Sequence, residues 1–291
     1  MSTLLEQIIN GLVVGSMYAL IASGLTLIWG TMHLLNFAHG EFYMLGGYVL
    51  YFSLVVGGIN PIFAVLLAVA GVGIVALLIE LAIIRRLLAK ADWESSSIVA
   101  TLGISIFLQN VALRLWGERF KNIPYFLDGT IEAFGVRLAQ QRLLIFAVAV
   151  AVMAALWFII KRTPFGIGLR ATAQDPDAAT LYGIDAQRIF LATFGLSAIL
   201  AAIAATMLAP IYSVNPWMGV PPLLKGFVVV VLGGLGSFEG AIIGGILLGV
   251  VESLGVSLLS SQWQEVVAFS VMILILWIRP SGLFGIKQAA A

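Results

Sequence analysis

Residues 143–160 read LLIFAVAVAVMAALWFII, 18 apolar side chains in succession, closed by Lys161-Arg162. Such a run has no polar face to offer water and comes close to the roughly 20 residues a helix needs to cross a bilayer core. Stretches of the same kind recur on both sides. Residues 7–40 and 42–79 carry no formal charge, the second broken only by the turn-like Gly57-Gly58-Ile59-Asn60-Pro61. Residues 189–212 are uncharged as well, and 226–238, 240–262 (interrupted by Glu252) and 266–278 follow Lys225. Residues 98–113 make a weaker span containing Gln109 and Asn110. The pattern predicts an all-α, polytopic membrane protein with eight or nine transmembrane or re-entrant helices in one transmembrane domain over residues 1–291.

Composition agrees. Hydrophobic residues make up 61% of the chain and charged residues only 10%, against roughly 25% charged in soluble domains. This excludes a water-soluble globule and a disordered chain. A net charge of +1 gives no case for nucleic-acid binding. The absence of cysteine excludes disulfides and thiolate metal sites. No Lys or Arg precedes Arg85 and the first apolar run continues into further spans, so the beginning of the sequence reads as a span and not as a cleavable signal.

Basic residues in short loops set orientation. Arg85, Arg86 and Lys90 form one cluster, Lys161, Arg162, Arg170 and Arg188 a second, Arg279 and Lys287 a third. Residues 85–94 and 161–188 are therefore expected in the cytoplasm and 117–141 outside, with an external N-terminus and an internal C-terminus.

The cytoplasmic segment 163–188 is long and polar. Asp175-Pro176 reads as an N-cap with proline at the first helical position, Asp177 to Tyr182 as about two helical turns, and Gly183 as their end. Such a capped helix is either a surface helix that tidies a loop or a rigid knob for a partner's groove. Asn36-Phe37-Ala38-His39-Gly40-Glu41 is a polar segment expected at membrane depth or at the membrane edge. A charge in mid-span costs roughly 2.5–3.5 kcal/mol on insertion scales, so Glu41 needs a partner, a cavity or an interfacial position, and His39 is the nearest donor. The turn either lines a translocation path or is a helix break whose side chains satisfy freed backbone groups. His33 and His39 lack a matching ligand cluster, so no metal site is expected.

Leu45-Gly46-Gly47 recurs as Leu232-Gly233-Gly234. Paired glycine interruptions mark broken helices in repeat-built transporters, or simply close packing. Gly11 with Gly15, Gly236 with Gly240 and Gly244, and Gly245 with Gly249 repeat the Gly-x-x-x-Gly spacing. Glu80 is read as interfacial beside Arg85. Glu252 is deeper, with no Lys or Arg beside it within the spans, and is read as an interhelical hydrogen-bonding group or a residue near a subunit seam. Trp217 is read as an interfacial anchor or a contact for an external protein.

Asp177-Ala178-Ala179, three residues, then Gly183 resembles the "EAA" cytoplasmic loop of ABC importer permeases, with Asp in place of Glu and without the later Ile-x-Leu-Pro. Residues 36–41, Met44-Leu45-Gly46-Gly47-Tyr48, Gly15-Ser16-Met17-Tyr18-Ala19-Leu20-Ile21-Ala22, Val231-Leu232-Gly233-Gly234-Leu235-Gly236-Ser237 and Pro280-Ser281-Gly282-Leu283-Phe284-Gly285 resemble the LivH-type permease of branched-chain amino acid importers. The resemblance implies a permease domain in a bacterial inner membrane, working beside a second homologous permease chain (a heterodimer), two ATP-binding subunits and an extracytoplasmic solute-binding protein. It places Asp177, Ala178, Ala179 and Gly183 on the helix that couples to the ATPases. Candidates for the translocation path or gate are Asn36, His39, Glu41, Gly46, Gly47, Gly233 and Gly234. No catalytic residue is expected. No Gly-x-x-x-x-Gly-Lys-Ser/Thr phosphate loop occurs in the sequence, so ATP and Mg are expected on the partner subunits and no cofactor on this chain. The rival reading is an ion-coupled secondary transporter using Glu41 or Glu252.

Overall fold

The computed structural model describes residues 2–88, 93–133 and 136–285; Lys90 and Lys287 of the basic clusters lie outside them. In chain order the elements are α1 (Ser2–Met32), α2 (His39–Tyr51) running on through a π-turn (Phe52–Val56), α3 (Pro61–Ile79), a second π-turn (Glu80–Ile84), α4 (Arg85–Leu88) and α5 (Trp93–Trp116). Then come β1 (Thr130–Ala133), β2 (Val136–Ala139), α6 (Gln140–Arg162), α7 (Pro164–Gln174), α8 (Pro176–Leu181), α9 (Ala186–Leu208), α10 (Val220–Gly233), α11 (Phe238–Leu258) and α12 (Gln264–Ile278). Among the described residues, six helical stretches are long and apolar enough to cross a membrane: Leu4–Met32, Pro61–Leu88, Ser95–Trp116, Gln140–Arg162, Ala186–Leu208 and Phe238–Leu258. Val220–Gly233 and Gln264–Ile278 are apolar but shorter. The chain is a multi-pass helical membrane protein.

Not every expected loop is a loop. The 117–141 segment contains a small antiparallel hairpin pairing Thr130 with Ala139 and Glu132 with Arg137. Within 163–188, residues 164–174 form α7, capped by Thr163, whose Oγ1 accepts from the Gly166 N–H at 3.2 Å.

The chain divides into two compact units, one of residues 1–26, 125–153 and 224–291, the other of 27–124 and 154–223. In the first, α1 and α11 approach backbone to backbone. A Cβ added at Gly249 would lie 2.3 Å from the Gly15 Cα, and one at Gly245 would lie 2.5 Å from the Ala19 N. The Gly11/Gly15 and Gly245/Gly249 ridges therefore face each other, as small-residue spacing allows where lipid supplies no hydrophobic drive for association. Ser253 Oγ donates to the Gln7 carbonyl at 2.7 Å at one end of this seam. Gly236 sits instead in the turn after α10, at φ 81°.

In the second unit α2 packs against α3 and α9. Phe42 meets Phe194 edge to face at 5.7 Å, and a Cβ on Gly46 would lie 3.0 Å from the Ala202 Cα. Further along, Tyr48 stacks on Trp116 at 4.2 Å. The Lys121 ammonium lies 5.7 Å from the Tyr48 ring and 5.9 Å from that of Tyr51, within cation–π range. Lys121 also pairs its backbone with Val214, which ties the 117–124 segment to the chain after α9.

Candidate functional site

The polar turn is built from α1's end. His33 reverses the chain at φ 51°, the positive φ of a non-glycine residue that the described part of the chain shows. Asn36 then shapes the turn: its Oδ1 accepts from the Ala38 N–H at 3.0 Å and its carbonyl from the His39 N–H at 3.3 Å. This is the local side-chain bonding that makes Asn a turn former. α2 starts at His39, and Asn36, His39 and Glu41 are at most 1% exposed.

His39 does not supply Glu41's partner as expected. Positions two apart on a helix point to different sides, and the two residues separate accordingly. His39 Nδ1 lies 3.2 Å from Ser197 Oγ on α9, while Glu41 Oε1 accepts from Ser105 Oγ on α5 at 3.0 Å. Thr101 Oγ1 on α5 donates to the Leu35 carbonyl at 3.1 Å. Ser197 and Ser105 lie at the midpoints of α9 and α5, both long enough to cross the membrane, so α2 begins level with the middle of two spanning helices. Glu41 Oε2 and Asn36 Nδ2 are buried without a hydrogen-bond partner among the described residues. Each such atom costs about 1–3 kcal/mol while unsatisfied.

Gly40 lets this turn touch the chain after α9: a Cβ there would lie 2.6 Å from the Gly219 carbonyl oxygen. Gly46 and Gly47 do not interrupt a helix. Both lie inside α2, and a Cβ on Gly47 would meet Met218 at 3.1 Å. Gly233 and Gly234 end α10, with Gly234 at φ 102° and Gly233 pressed on Gly240. The two Leu-Gly-Gly stretches thus differ in geometry and belong to different units. Asn36, His39, Glu41, Gly46 and Gly47 are brought together on one turn and helix.

The capped helix is present as read. Asp175 Oδ1 accepts from the N–H groups of Asp177 and Ala178, each at 2.9 Å, and Pro176 opens α8. Gly183, at φ 84°, donates to the Thr180 carbonyl, and Ile184 to that of Ala179. Asp177 and Ala178 lie on the outer surface or partly covered, while Ala179 is buried. Leu181 and Tyr182, which the sequence reading passed over, are 89% and 88% exposed. Two large side chains are thus held open at the end of α8.

Glu80 is buried, with Arg85 Nε 3.7 Å from its carboxylate. The reading of Glu252 without a cationic neighbour is overturned. Lys225, taken from the sequence as the boundary of a span, lies inside α10 at 4% exposure and pairs with Glu252 Oε1. Tyr18 Oη donates to Glu252 Oε2 at 2.9 Å, so the expected interhelical hydrogen bond is there as well.

A family model described as branched-chain amino acid transport system / permease component matches residues 7–276. The chain belongs to this permease family. It is 38% identical to the high-affinity branched-chain amino acid transport system permease protein BraD of Pseudomonas aeruginosa, over 97% of this chain and 95% of that one. It is 37% identical to the corresponding LivH of Escherichia coli K12, with the same two coverages. A chain in the solved structure of PsaBC from Streptococcus pneumoniae in complex with Fab shares the fold, with a TM-score of 0.50 and 18% identity over 97% of this chain and 92% of that one.

Proposed function

We propose that this chain is a permease subunit of an ATP-driven importer in a bacterial inner membrane. It forms the translocation path for branched-chain amino acids, or a related small polar or amphipathic solute, together with a second homologous permease. ATP and Mg are bound by two partner subunits, and an extracytoplasmic binding protein delivers the solute. The six long spans, the shorter α10 and α12, and the buried α2 fit eight or nine membrane segments.

The observation that carries this reading is α8: a capped, rigid helix that presents Leu181 and Tyr182 to its surroundings on a chain with no phosphate loop of its own. Asp177, Ala178, Ala179 and Gly183 shape this knob, and the two exposed side chains fill a groove on the ATPase. Movement of the ATPases displaces α8 and, through α7 and α9 on either side of it, tilts the attached spans. On the path, the unsatisfied Glu41 Oε2 and Asn36 Nδ2 offer a passing polar solute one acceptor and one donor. The rival ion-coupled reading loses one of its two carriers, because Glu252 is committed to Lys225 and Tyr18.

The test is reconstitution of the chain with a second permease, the ATPase pair and the binding protein in proteoliposomes. Leucine uptake that requires ATP inside and collapses without the ATPases supports the proposal. Uphill uptake by this chain alone, driven by a proton gradient, overturns it.

A further inference from the structure

Four helices bring polar side chains of the first unit to one point. Lys225 comes from α10, Glu252 from α11, Gln264 and Glu265 from α12, and Tyr18 from α1. The two carboxylates on Lys225 are not equivalent. Glu252 is 2% exposed and saturated: Oε1 takes the ammonium, while Oε2 takes Tyr18 Oη at 2.9 Å and Gln264 Nε2 at 3.1 Å. A carboxylate with three donors, one of them charged, is held in one place. Glu265 is different. Its Oε2 lies 3.1 Å from Lys225 Nζ, but its side chain is 57% exposed and sits in the first turn of α12. That turn is the end of α12 opposite Arg279.

Lys225 therefore holds one fixed anion and one anion that can leave at little cost, since an ion pair with a half-exposed partner contributes little. A buried ammonium left with Glu252 alone still has N–H groups to give. We propose that Lys225 is a binding position for the α-carboxylate of an amino acid solute, and that Glu265 fills it in the resting state. This rests on the amino acid reading given above. The incoming carboxylate replaces that of Glu265 on Lys225, and the released Glu265 carboxylate pairs with the solute's ammonium. A zwitterion adds no net charge to the cluster, so the exchange leaves the fixed Lys225–Glu252 pair neutralised throughout, as a low-dielectric site requires. A cationic solute brings no carboxylate to displace Glu265 and leaves it where it is.

The first test uses the complete transporter in proteoliposomes with leucine-loaded binding protein, and reads leucine molecules moved per ATP hydrolysed. Lys225→Gln lowers this ratio at least tenfold, and Lys225→Arg, which keeps the charge, restores part of it. An unchanged ratio overturns the proposal, whether or not both rates fall, because that is what loss of a merely structural ion pair produces. Wild-type complex without ATP-dependent uptake refutes the importer reading instead, so the two failures are told apart. The second test needs no variant. Water-soluble carbodiimide labelling of Glu265 in the wild-type complex, with excess glycine ethyl ester as nucleophile, all amine adducts summed by mass spectrometry and the exposed Asp128 as the reference carboxylate, rises at least threefold relative to Asp128 with 4-methylpentanoate, which is leucine without its amine. It stays unchanged with 3-methylbutylamine, which is leucine without its carboxylate. Equal labelling in both cases overturns the proposal.

Discussion

Asp175→Ala tests the link between a six-residue helix and transport. Asp175 Oδ1 is the acceptor for two of α8's first N–H groups, both at 2.9 Å. Replacing an N-cap carboxylate by alanine costs about 0.5–2 kcal/mol. α8 spans only Pro176–Leu181, too short to recover that loss from its own ladder, because helix nucleation is unfavourable and longer helices alone outgrow it. Remaining supports are the Thr180 hydroxyl on the Pro176 carbonyl at 2.8 Å and the Gly183 turn. Neither bonds the Asp177 and Ala178 N–H groups, so neither replaces the cap. A loss of about 1–2 kcal/mol lowers the ratio of ordered to disordered knob roughly 5–30-fold. If α8 must arrive at the ATPase preformed, ATP-dependent uptake in proteoliposomes falls at least fivefold, with hydrolysis by the ATPase pair losing its response to loaded binding protein. Asp175→Asn keeps an oxygen acceptor and stays within about twofold of wild type. Equal uptake by the alanine and asparagine variants, at any level, refutes the reasoning, since only the cap distinguishes them.

Tyr182→Ala removes an 88% exposed ring from the knob without touching its backbone; co-purification of the ATPases with the permease in detergent falls at least tenfold, the scale of an aromatic hot spot of about 2 kcal/mol, while the permease elutes unchanged in size-exclusion chromatography. Gly249→Ala forces α1 from α11, because the added Cβ would sit 2.3 Å from the Gly15 Cα, and lowers thermal stability in detergent by the about 1–3 kcal/mol of overpacking. Gly103→Ala is its control: that glycine lies in α5 with nothing within 4 Å of an added Cβ, so the same change gains up to about 1 kcal/mol of helix propensity and leaves the melting midpoint equal or higher. Glu41→Leu leaves the Ser105 hydroxyl without its acceptor and lowers uptake at least tenfold with assembly intact, whereas Glu41→Gln retains an acceptor and most of the uptake; parallel uptake and assembly assays check both.

What the sequence showed and what it hid follow one division. Features set within a few residues were legible: the spans by their apolar runs, the Asp175-Pro176 cap, the glycine ridges by their spacing of four. Thr163-Pro164 carries the same cap-and-proline signature and announces α7, although a glycine-containing, basic segment reads as loop. Features set across the fold were hidden. Lys225 interrupts an apolar run, and a charge there argues against a span until its counter-charge, 27 residues on at Glu252, is placed beside it. The partners of His39 and Glu41 lie on α9 and α5, out of reach of any local pattern; only their spacing of two warned that they would not meet each other. Gly46-Gly47 looks like a break because glycine weakens isolated helices, yet a buried helix pressed on Ala202 and Met218 uses it for room.

The last described residues are not a dangling end. Leu283 and Phe284 donate their N–H groups to the Leu232 and Gly233 carbonyls at 2.9 and 3.0 Å, and Gly282, at φ 77°, lies flush on Gly234. An expression design that trims the chain at Arg279 would strip α10 of its terminal lid and take from the Leu232 and Gly233 carbonyls the two N–H groups that bond them. Affinity handles and fluorescent fusions belong beyond Gly285, behind a spacer, where they leave that fold-back undisturbed.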